Sequence, residues 1–421
     1  MPATIENYFR RFGFFEQQLA APPAPDTGLI VVIPCFNEPD LVGSLESLRQ
    51  CEPPECAVEV IIVVNAPANC SPEIQERNEQ TLRDASAWIA INRNPRLAFH
   101  LLHFPDLPPK HAGVGLARKL GMDEALRRFA NLDRLAGVIV CYDADCRCDS
   151  NYLCALESHF RAHPKSPGCG VRFEHPLDGP LPPRVYEAAT LYELHLRYYV
   201  QALRHAGFPH AFHTVGSSMA VRADAYCRQG GMNRRQAGED FYFLLKIIPL
   251  GNFTELNSTR VIPSPRASDR VPFGTGKAVG AYLRNESCPA YPLQAFIDLK
   301  QFFTAGWAHG EAAQLLASMP ETIAAFLESQ AFLPKLAEIR ANTSNLHSFH
   351  KRFFHWFDAF RAMKFIHFAR DRYYGPAEIV AESSRLLTLL NHHREAATAR
   401  ELLTVYRALD RTGYPAKMKA P

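Results

Sequence analysis

Two carboxylates one residue apart, Asp143 and Asp145, close an apolar run that reads Val138-Ile139-Val140-Cys141-Tyr142. Alternate residues of an extended segment point the same way, so both side chains can face one cation. Hard carboxylate oxygens held at a strand end suit Mg²⁺ or Mn²⁺, which usually takes further oxygens from a substrate phosphate. The competing reading is two solvated aspartates in a turn, where Asp is common. The strand ahead of them weakens that reading without removing it, and the rest of the chain must decide. A second acidic pair, Glu239-Asp240, precedes the apolar run Phe241-Tyr242-Phe243-Leu244. Taken alone, that pair complements the dipole of a helix N-terminus and asks for no chemistry. Cys141, Cys146, Cys148 and Cys154 surround the first pair, but their spacing fits no common zinc motif and reads as buried thiols. Gly113-Val114-Gly115 does not complete a dinucleotide loop, since Arg118 stands at the third glycine. Gly276-Lys277 is not a P-loop, since Ala278 stands where Ser or Thr is required.

The elements that must position these groups are legible as alternating apolar strands and helices. Leu29–Pro34, Val58–Val64, Ala98–Phe104 and Val138–Tyr142 read as buried strands. Helices are expected near 41–50, 73–91, 113–128 and 152–161. Strands without polar alternation, separated by helices, imply an α/β fold on a mostly parallel sheet covered on both faces. Ligands bind beyond the carboxyl ends of such strands, where Asn37, Glu38, Asn65, Asp143 and Asp145 fall. Further on, Val171–Glu174 and His213–Val221 read as strands and 182–207 as a long helix.

The ends of the chain differ from this middle. Residues 4–20 read as an amphipathic helix and 21–26 as a Pro-rich linker. From about 285 the pattern is helix after helix, over 293–305, 311–316, 322–340, 348–372, 377–392 and 394–409. The expected organisation is therefore 1–27 as helix and linker, 28–284 as the α/β domain, and 285–421 as a helical domain. The 421 residues are 47% hydrophobic and 21% charged with a net charge of +3, so nothing global points to nucleic acid. No leader-like apolar segment and no stretch of about 18 uncharged apolar residues occurs. With 11 scattered cysteines, this implies a reducing, cytoplasmic setting.

Six segments in order, IPCFNE, VVNAP, GVGLARKLG, CYDADC, GSSMAVRADAYCRQGG and GEDFYFLLK, resemble the family 2 glycosyltransferases across roughly 29–271. The resemblance implies a GT-A fold and transfer of a sugar from a nucleotide-diphosphate donor. It implies Asp145 as the metal ligand, Asp143 as a contact to ribose or metal, and Asp240 as general base beside Glu239, with inversion at the anomeric carbon. Pro34, Asn37 and Glu38 match residues of the nucleoside pocket, and Arg118 a basic residue near it. Asn65 stands where many relatives carry the Asp that reads the base, and Lys119 where Asn is frequent, so UDP is the default nucleotide over GDP or dTDP. The QxxRW motif of processive synthases is absent, which implies single-sugar transfer to an acceptor the sequence does not identify. His213 is the candidate third metal ligand, although a lone histidine is more often structural.

Two stretches carry open alternatives. Arg260, Arg266, Arg270 and Lys277 occupy a Pro- and Gly-rich segment that reads either as a solvated basic loop or as a lid closing Arg270 over the donor diphosphate, with Gly274 and Gly276 as hinges. Seven aromatics between Phe353 and Phe368, interleaved with basic residues, read either as a membrane-surface helix or, with more weight, as a core helix. Outside the transferase reading stand two others. One is a phosphatase or phosphotransferase using its own Asp-x-Asp; the other is a non-catalytic nucleotide-sugar-binding protein. Oligomeric state is not readable from the chain.

Overall fold

The computed structural model of the chain describes residues 3–392 and 398–412. The chain groups into two compact units, residues 1–186 with 214–280, and residues 187–213 with 281–421.

Among the described residues the first unit carries a sheet of eight strands. They are β1 (Thr27–Cys35), β2 (Ala57–Pro67), β3 (Leu97–Leu107), β4 (Val138–Cys141), β5 (Arg147–Cys148), β6 (Gly168–Phe173), β7 (Met219–Arg222) and β8 (Thr254–Ile262). Their spatial order is β3-β2-β1-β4-β7-β6-β8-β5. The four apolar runs expected to pair in parallel do so, with Val31 of β1 between Val60 of β2 and Val140 of β4. The direction reverses at β7, antiparallel to both β4 and β6. This is the expected α/β fold on a mostly parallel sheet. Its helices are α1 (Ala3–Phe12), α2 (Leu41–Arg49), α3 (Pro72–Ile91), α4 (Val114–Asn131), α5 (Tyr152–Ala162), α6 (Pro183–His205), α7 (Ala223–Arg228), α8 (Glu239–Ile247) and α9 (Thr275–Asn285), of which α6 lies mostly in the second unit. Residues Leu29 to Ile33 are at most 2% exposed, so the centre of β1 is core and only its end is open to chemistry.

Three local expectations are corrected. The N-terminal helix stops at Phe12 rather than near residue 20, because Gly13 follows and the N–H groups of Gln18 and Leu19 donate to the Glu124 carboxylate instead of a helical carbonyl. The strand expected over 213–221 is confined to β7. The Pro- and Gly-rich segment expected to hold Arg260 in a loop begins as β8, so Arg260 is a strand residue paired with Asp149 and Glu174.

In the second unit α6 is followed by the short strands β9 (Pro289–Ala290) and β10 (Ala377–Glu378), which pair antiparallel. Its other helices are α10 (Leu293–Thr304), α11 (Ala312–Ala317), α12 (Glu321–Ser329), α13 (Phe332–Ala341), α14 (Leu346–Trp356), α15 (Ala359–Ala369), α16 (Ile379–Leu389) and α17 (Ala399–Arg411). Two helices expected as continuous are split. Ala331 takes a left-handed φ of 48° between α12 and α13. Asp358 accepts the Arg361 N–H at 2.9 Å and so starts α15 as a separate helix. The first residues of the helix expected over 394–409 lie outside the described residues. Phe353, Phe354, Trp356, Phe357 and Phe365 are buried, with Phe357 packing on Phe302 at 4.9 Å between ring centroids, as the core-helix reading requires. Among the described residues no helix is long and apolar enough to cross a membrane.

Candidate active site

The carboxyl ends of β1 and β4 lead into the acidic residues Glu38, Asp143 and Asp145, that of β2 carries Asn65, and α3 fixes the ends of β1 and β2 to each other. Asn37 sits at a φ of +49°, and its N–H donates to Asn78 Oδ1 at 2.9 Å. The amide nitrogen of the same Asn78 donates to the Asn65 carbonyl at 3.0 Å, and Thr81 Oγ1 donates to the Glu38 carbonyl at 2.8 Å. Asn78 is 3% exposed, so both groups of its amide are committed to this clamp. Asn65 is equally buried, and Pro34 is half-buried behind the loop. At the end of β4, Ser44 of α2 points its hydroxyl at the carbonyls of Ala144 (2.8 Å) and Cys146 (2.7 Å), holding the turn that carries Asp145. Asn78 and Ser44 had no signal in the sequence, because each acts through backbone groups that any residue would supply.

Arg118 joins the two acidic pairs. It is 2% exposed and donates to Asp143 Oδ1 at 2.6 Å, to Glu239 Oε1 at 2.9 Å and to the Gly216 carbonyl at 2.9 Å. Its guanidinium therefore serves protein partners that the resemblance alone did not indicate. Gly216 is required by this approach, since a Cβ there would come within 2.7 Å of Arg118 Nη2 and 3.0 Å of Asp240 Oδ2. Glu239 takes the salt bridge. Asp240, next along α8, accepts only the Phe241 N–H at 2.7 Å among the described residues. Burial, and then the charge of Glu239, push the Asp240 carboxyl up to about 7, against the opposing pull of Arg118. A carboxylate with that proton affinity is suited to general-base work near neutral pH.

The other half of the site is an arginine loop. Between β8 and α9, Arg266 Nη2 donates to both oxygens of Glu38 at 2.9 Å. Arg270 bonds Glu38 through Nη1 and Asp145 Oδ2 through Nη2, the latter at 3.0 Å. Glu38 is fully buried. Burial, and then Asp143, raise the Asp145 carboxyl above the usual carboxylate range, with Arg270 opposing. Phe36, Asn37, Pro39 and Ile74 face residues 266–270 of this loop across a cavity of 480 Å³. Lys277 is paired with Asp269 at 2.9 Å, at the exposed edge.

The donor set can be tested against a divalent cation. Asp143 Oδ2 and Asp145 Oδ1 receive no hydrogen bond among the described residues, and both are hard oxygens. No group of three or more His, Cys, Asp or Glu side chains is arranged to hold a metal among the described residues. Two carboxylates fit the habit of Mg²⁺ and Mn²⁺ of taking few protein ligands and completing the shell with phosphate oxygens and water. The expected third ligand, His213, is engaged in the second unit, its Nε2 3.0 Å from Asp410 Oδ2. All 11 cysteines are free, and Cys51 and Cys148 lie with sulfurs 3.6 Å apart, in keeping with thiols rather than a zinc centre.

Residues 30–228 match the family model described as Glycosyl transferase family 2. Among solved structures, Staphylococcus aureus TarS residues 1–349 in complex with UDP-GlcNAc is 17% identical, with 91% of this chain and 90% of that chain covered at a TM-score of 0.40. The mannosyltransferase PcManGT from Pyrobaculum calidifontis in complex with GDP-Man and Mn²⁺ is 15% identical, with coverage of 98% and 95% and a TM-score of 0.34. No curated protein matches the chain. The matched segment runs from β1 to α7 and so contains the clamped strand ends, Arg118 and the Asp143-Ala144-Asp145 turn: residues 30–228 form a family 2 glycosyltransferase domain.

Proposed function

We propose that this enzyme transfers a single sugar from a nucleotide-diphosphate donor, a UDP-sugar by default, to an acceptor hydroxyl with inversion. The observation that carries the reading is the Arg118 bridge. One buried guanidinium ties Asp143, on the donor side, to Glu239, next to Asp240 on the acceptor side. Asp240 takes the proton from the acceptor hydroxyl as that oxygen bonds to the anomeric carbon and the diphosphate departs. Glu239, bonded to Arg118, lies beside Asp240, and after burial its charge is what keeps the proton affinity of Asp240 high. Asn37, Glu38 and Asn65, held by Asn78 and Thr81, form the nucleoside end, and Phe36 and Ile74 supply apolar walls. Asp143 and Asp145 would hold Mg²⁺ or Mn²⁺, which when bound supplies Lewis-acid neutralisation of the leaving diphosphate. Arg270 adds a cation on the same side.

The test is thermal shift with UDP-, GDP- and dTDP-sugars, each with and without Mn²⁺, on the wild type and Asp145→Ala. Stabilisation by one donor that requires both Mn²⁺ and Asp145 is the expected result. Stabilisation by none of them overturns the reading.

A further inference from the structure

Arg266 and Arg270 make similar bonds but stand differently toward the site. Each belongs to a Ser-x-Arg unit, Ser264-Pro265-Arg266 and Ser268-Asp269-Arg270. In each, the serine hydroxyl accepts from the arginine Nε two residues on, at 3.0 and 2.9 Å, which aims the guanidinium inward. Arg266 engages both oxygens of Glu38 through one nitrogen, and only its weaker 3.6 Å approach reaches Asp145. Glu38 is fully buried, and a buried carboxylate stripped of its cation is strongly destabilising. Arg270 bridges instead: Nη1 to Glu38 and Nη2 to Asp145, whose side chain is 24% exposed. Asp145 tolerates solvent or a different cation where Glu38 does not. The two arginines also line the cavity that Phe36, Asn37, Pro39 and Ile74 complete, so an anion placed there would meet both guanidinium edges.

We infer that Arg266 is the fixed counter-ion of Glu38, whereas Arg270 is an exchangeable bridge that occupies Asp145 until a donor diphosphate draws it away. The inference rests on the nucleotide-sugar reading and adds an order to it. A guanidinium on Asp145 competes with a divalent cation for the same carboxylate. A diphosphate offers Arg270 a bidentate, more highly charged acceptor and frees Asp145 in the same movement. Glu38 keeps Arg266 throughout, so the exchange leaves no buried anion unpaired. Gly274, at a φ of +96°, sits where the loop enters α9 and supplies a joint that L-residues rarely adopt. Nucleotide and metal then bind cooperatively, and by linkage each tightens the other by the same factor, expected at about 5–150-fold.

The experiment is Mn²⁺ titration followed by the electron paramagnetic resonance of free Mn²⁺, without nucleotide and with saturating UDP or GDP, on wild type, Arg270→Gln and Arg266→Gln. Nucleotide binding to the wild type is measured in parallel by calorimetry. In the wild type, nucleotide should tighten Mn²⁺ binding by about tenfold or more. Arg270→Gln should bind Mn²⁺ without nucleotide about tenfold more tightly than the wild type and lose most of the cooperativity. Arg266→Gln should lower the melting temperature, and Arg270→Gln should not. Unchanged nucleotide-free Mn²⁺ affinity in a folded Arg270→Gln overturns the exchange, and wild-type nucleotide binding in the same experiment leaves the donor reading standing. Absence of any nucleotide binding to the wild type removes both. Arg270→Lys guards against a folding artefact: it keeps the charge but cannot span two carboxylates, and its nucleotide-free Mn²⁺ affinity should fall between the other two.

Discussion

Each unit of this chain buries a network of arginines and carboxylates, and the two networks are balanced differently. In the helical unit, Arg197 donates to Glu193 at 2.8 Å and bonds Asp410, while Arg407 grips Glu193 at 2.7 and 2.8 Å. Asp410 also accepts from Gln201 at 2.6 Å, lies 3.0 Å from His213, and has Arg204 at 3.7 Å. Burial alone would raise the Asp410 carboxyl; His213 and the arginines outweigh it and hold it well below the usual carboxylate range. In the sheet unit, Glu38, Asp143, Asp145 and Glu239 share Arg118, Arg266 and Arg270, and Asp240 feels the Arg118 charge without pairing with it. There the anions outnumber the cations, and Asp145 and Asp240 are pushed up rather than down. A structural network closes on itself. An anion-rich one is complete only with a proton or a cation from outside, and that imbalance marks the site.

The largest effect should come from the least balanced carboxylate. Asp240→Asn should lower turnover by about 10²–10⁴-fold, the usual contribution of a general base, while keeping nucleotide-dependent thermal stabilisation. Steady-state rates per folded molecule would check this, and an equal loss in Asp410→Asn would erase the distinction between the networks. Next in size is Asp410→Ala. Leaving Arg197 buried without that partner should destabilise the protein by about 3–5 kcal/mol in urea unfolding. Asp145→Ala, at a partly exposed position, should lose far less stability.

The same contrast explains what the sequence made legible. The strands, their parallel pairing and the strand-end positions of Asn37, Glu38, Asn65, Asp143 and Asp145 follow from apolar runs and period, which the chain writes locally. The resemblance added roles for Glu239 and Asp240, which lie beyond the matched segment at residue 228. The network partners were not readable. Arg118 meets Glu239 across 121 residues and His213 meets Asp410 across 197, and nothing local encodes such pairings. That distance is why His213 looked like a metal ligand, and why Arg260 looked like part of a loop before β8 took it. The splits at Ala331 and Asp358 had the opposite cause. An amphipathic stripe continues across a break, and a left-handed residue or a side-chain cap leaves little trace in hydrophobic period.

Smaller, and opposite in sign, are the responses to pH. The Asp240 carboxyl is raised, so its contribution to stability is present below its ordinary value near 3.9 and is lost as pH rises through about 7. With Asp240 in the proposed general-base role, the rate should climb about tenfold per pH unit up to about 7 and then level. Asp240→Asn should consequently be more stable than the wild type at pH 8, and not at pH 4. Asp410 is lowered, so its contribution is present above about 3.9 and fades as pH falls below that. The stability gap between wild type and Asp410→Asn should close in acid. Melting curves at pH 2, 4, 6 and 8 separate the two signs, and parallel curves for both variants would show that the networks do not differ in charge balance.

The smallest effect is a pair of serines, one in each unit, both fully buried. Ser44 places its hydroxyl against the carbonyls of Ala144 and Cys146 and accepts from Arg147 Nη1 at 3.2 Å, so Ser44→Ala removes partners from groups that stay buried. That should cost about 1–3 kcal/mol and loosen the turn under Asp145, seen as weaker Mn²⁺ binding in the presence of nucleotide. Ser383 is the control. Its carbonyl accepts from Tyr406, but its hydroxyl has no hydrogen-bond partner among the described residues. Replacing an unsatisfied buried hydroxyl by a methyl group leaves nothing newly unpaired, so Ser383→Ala should be neutral or stabilising. The same substitution at equal burial therefore separates a hydroxyl that positions an active-site turn from one that has no partner, and equal melting shifts would mean that the bonds under Asp145 contribute nothing.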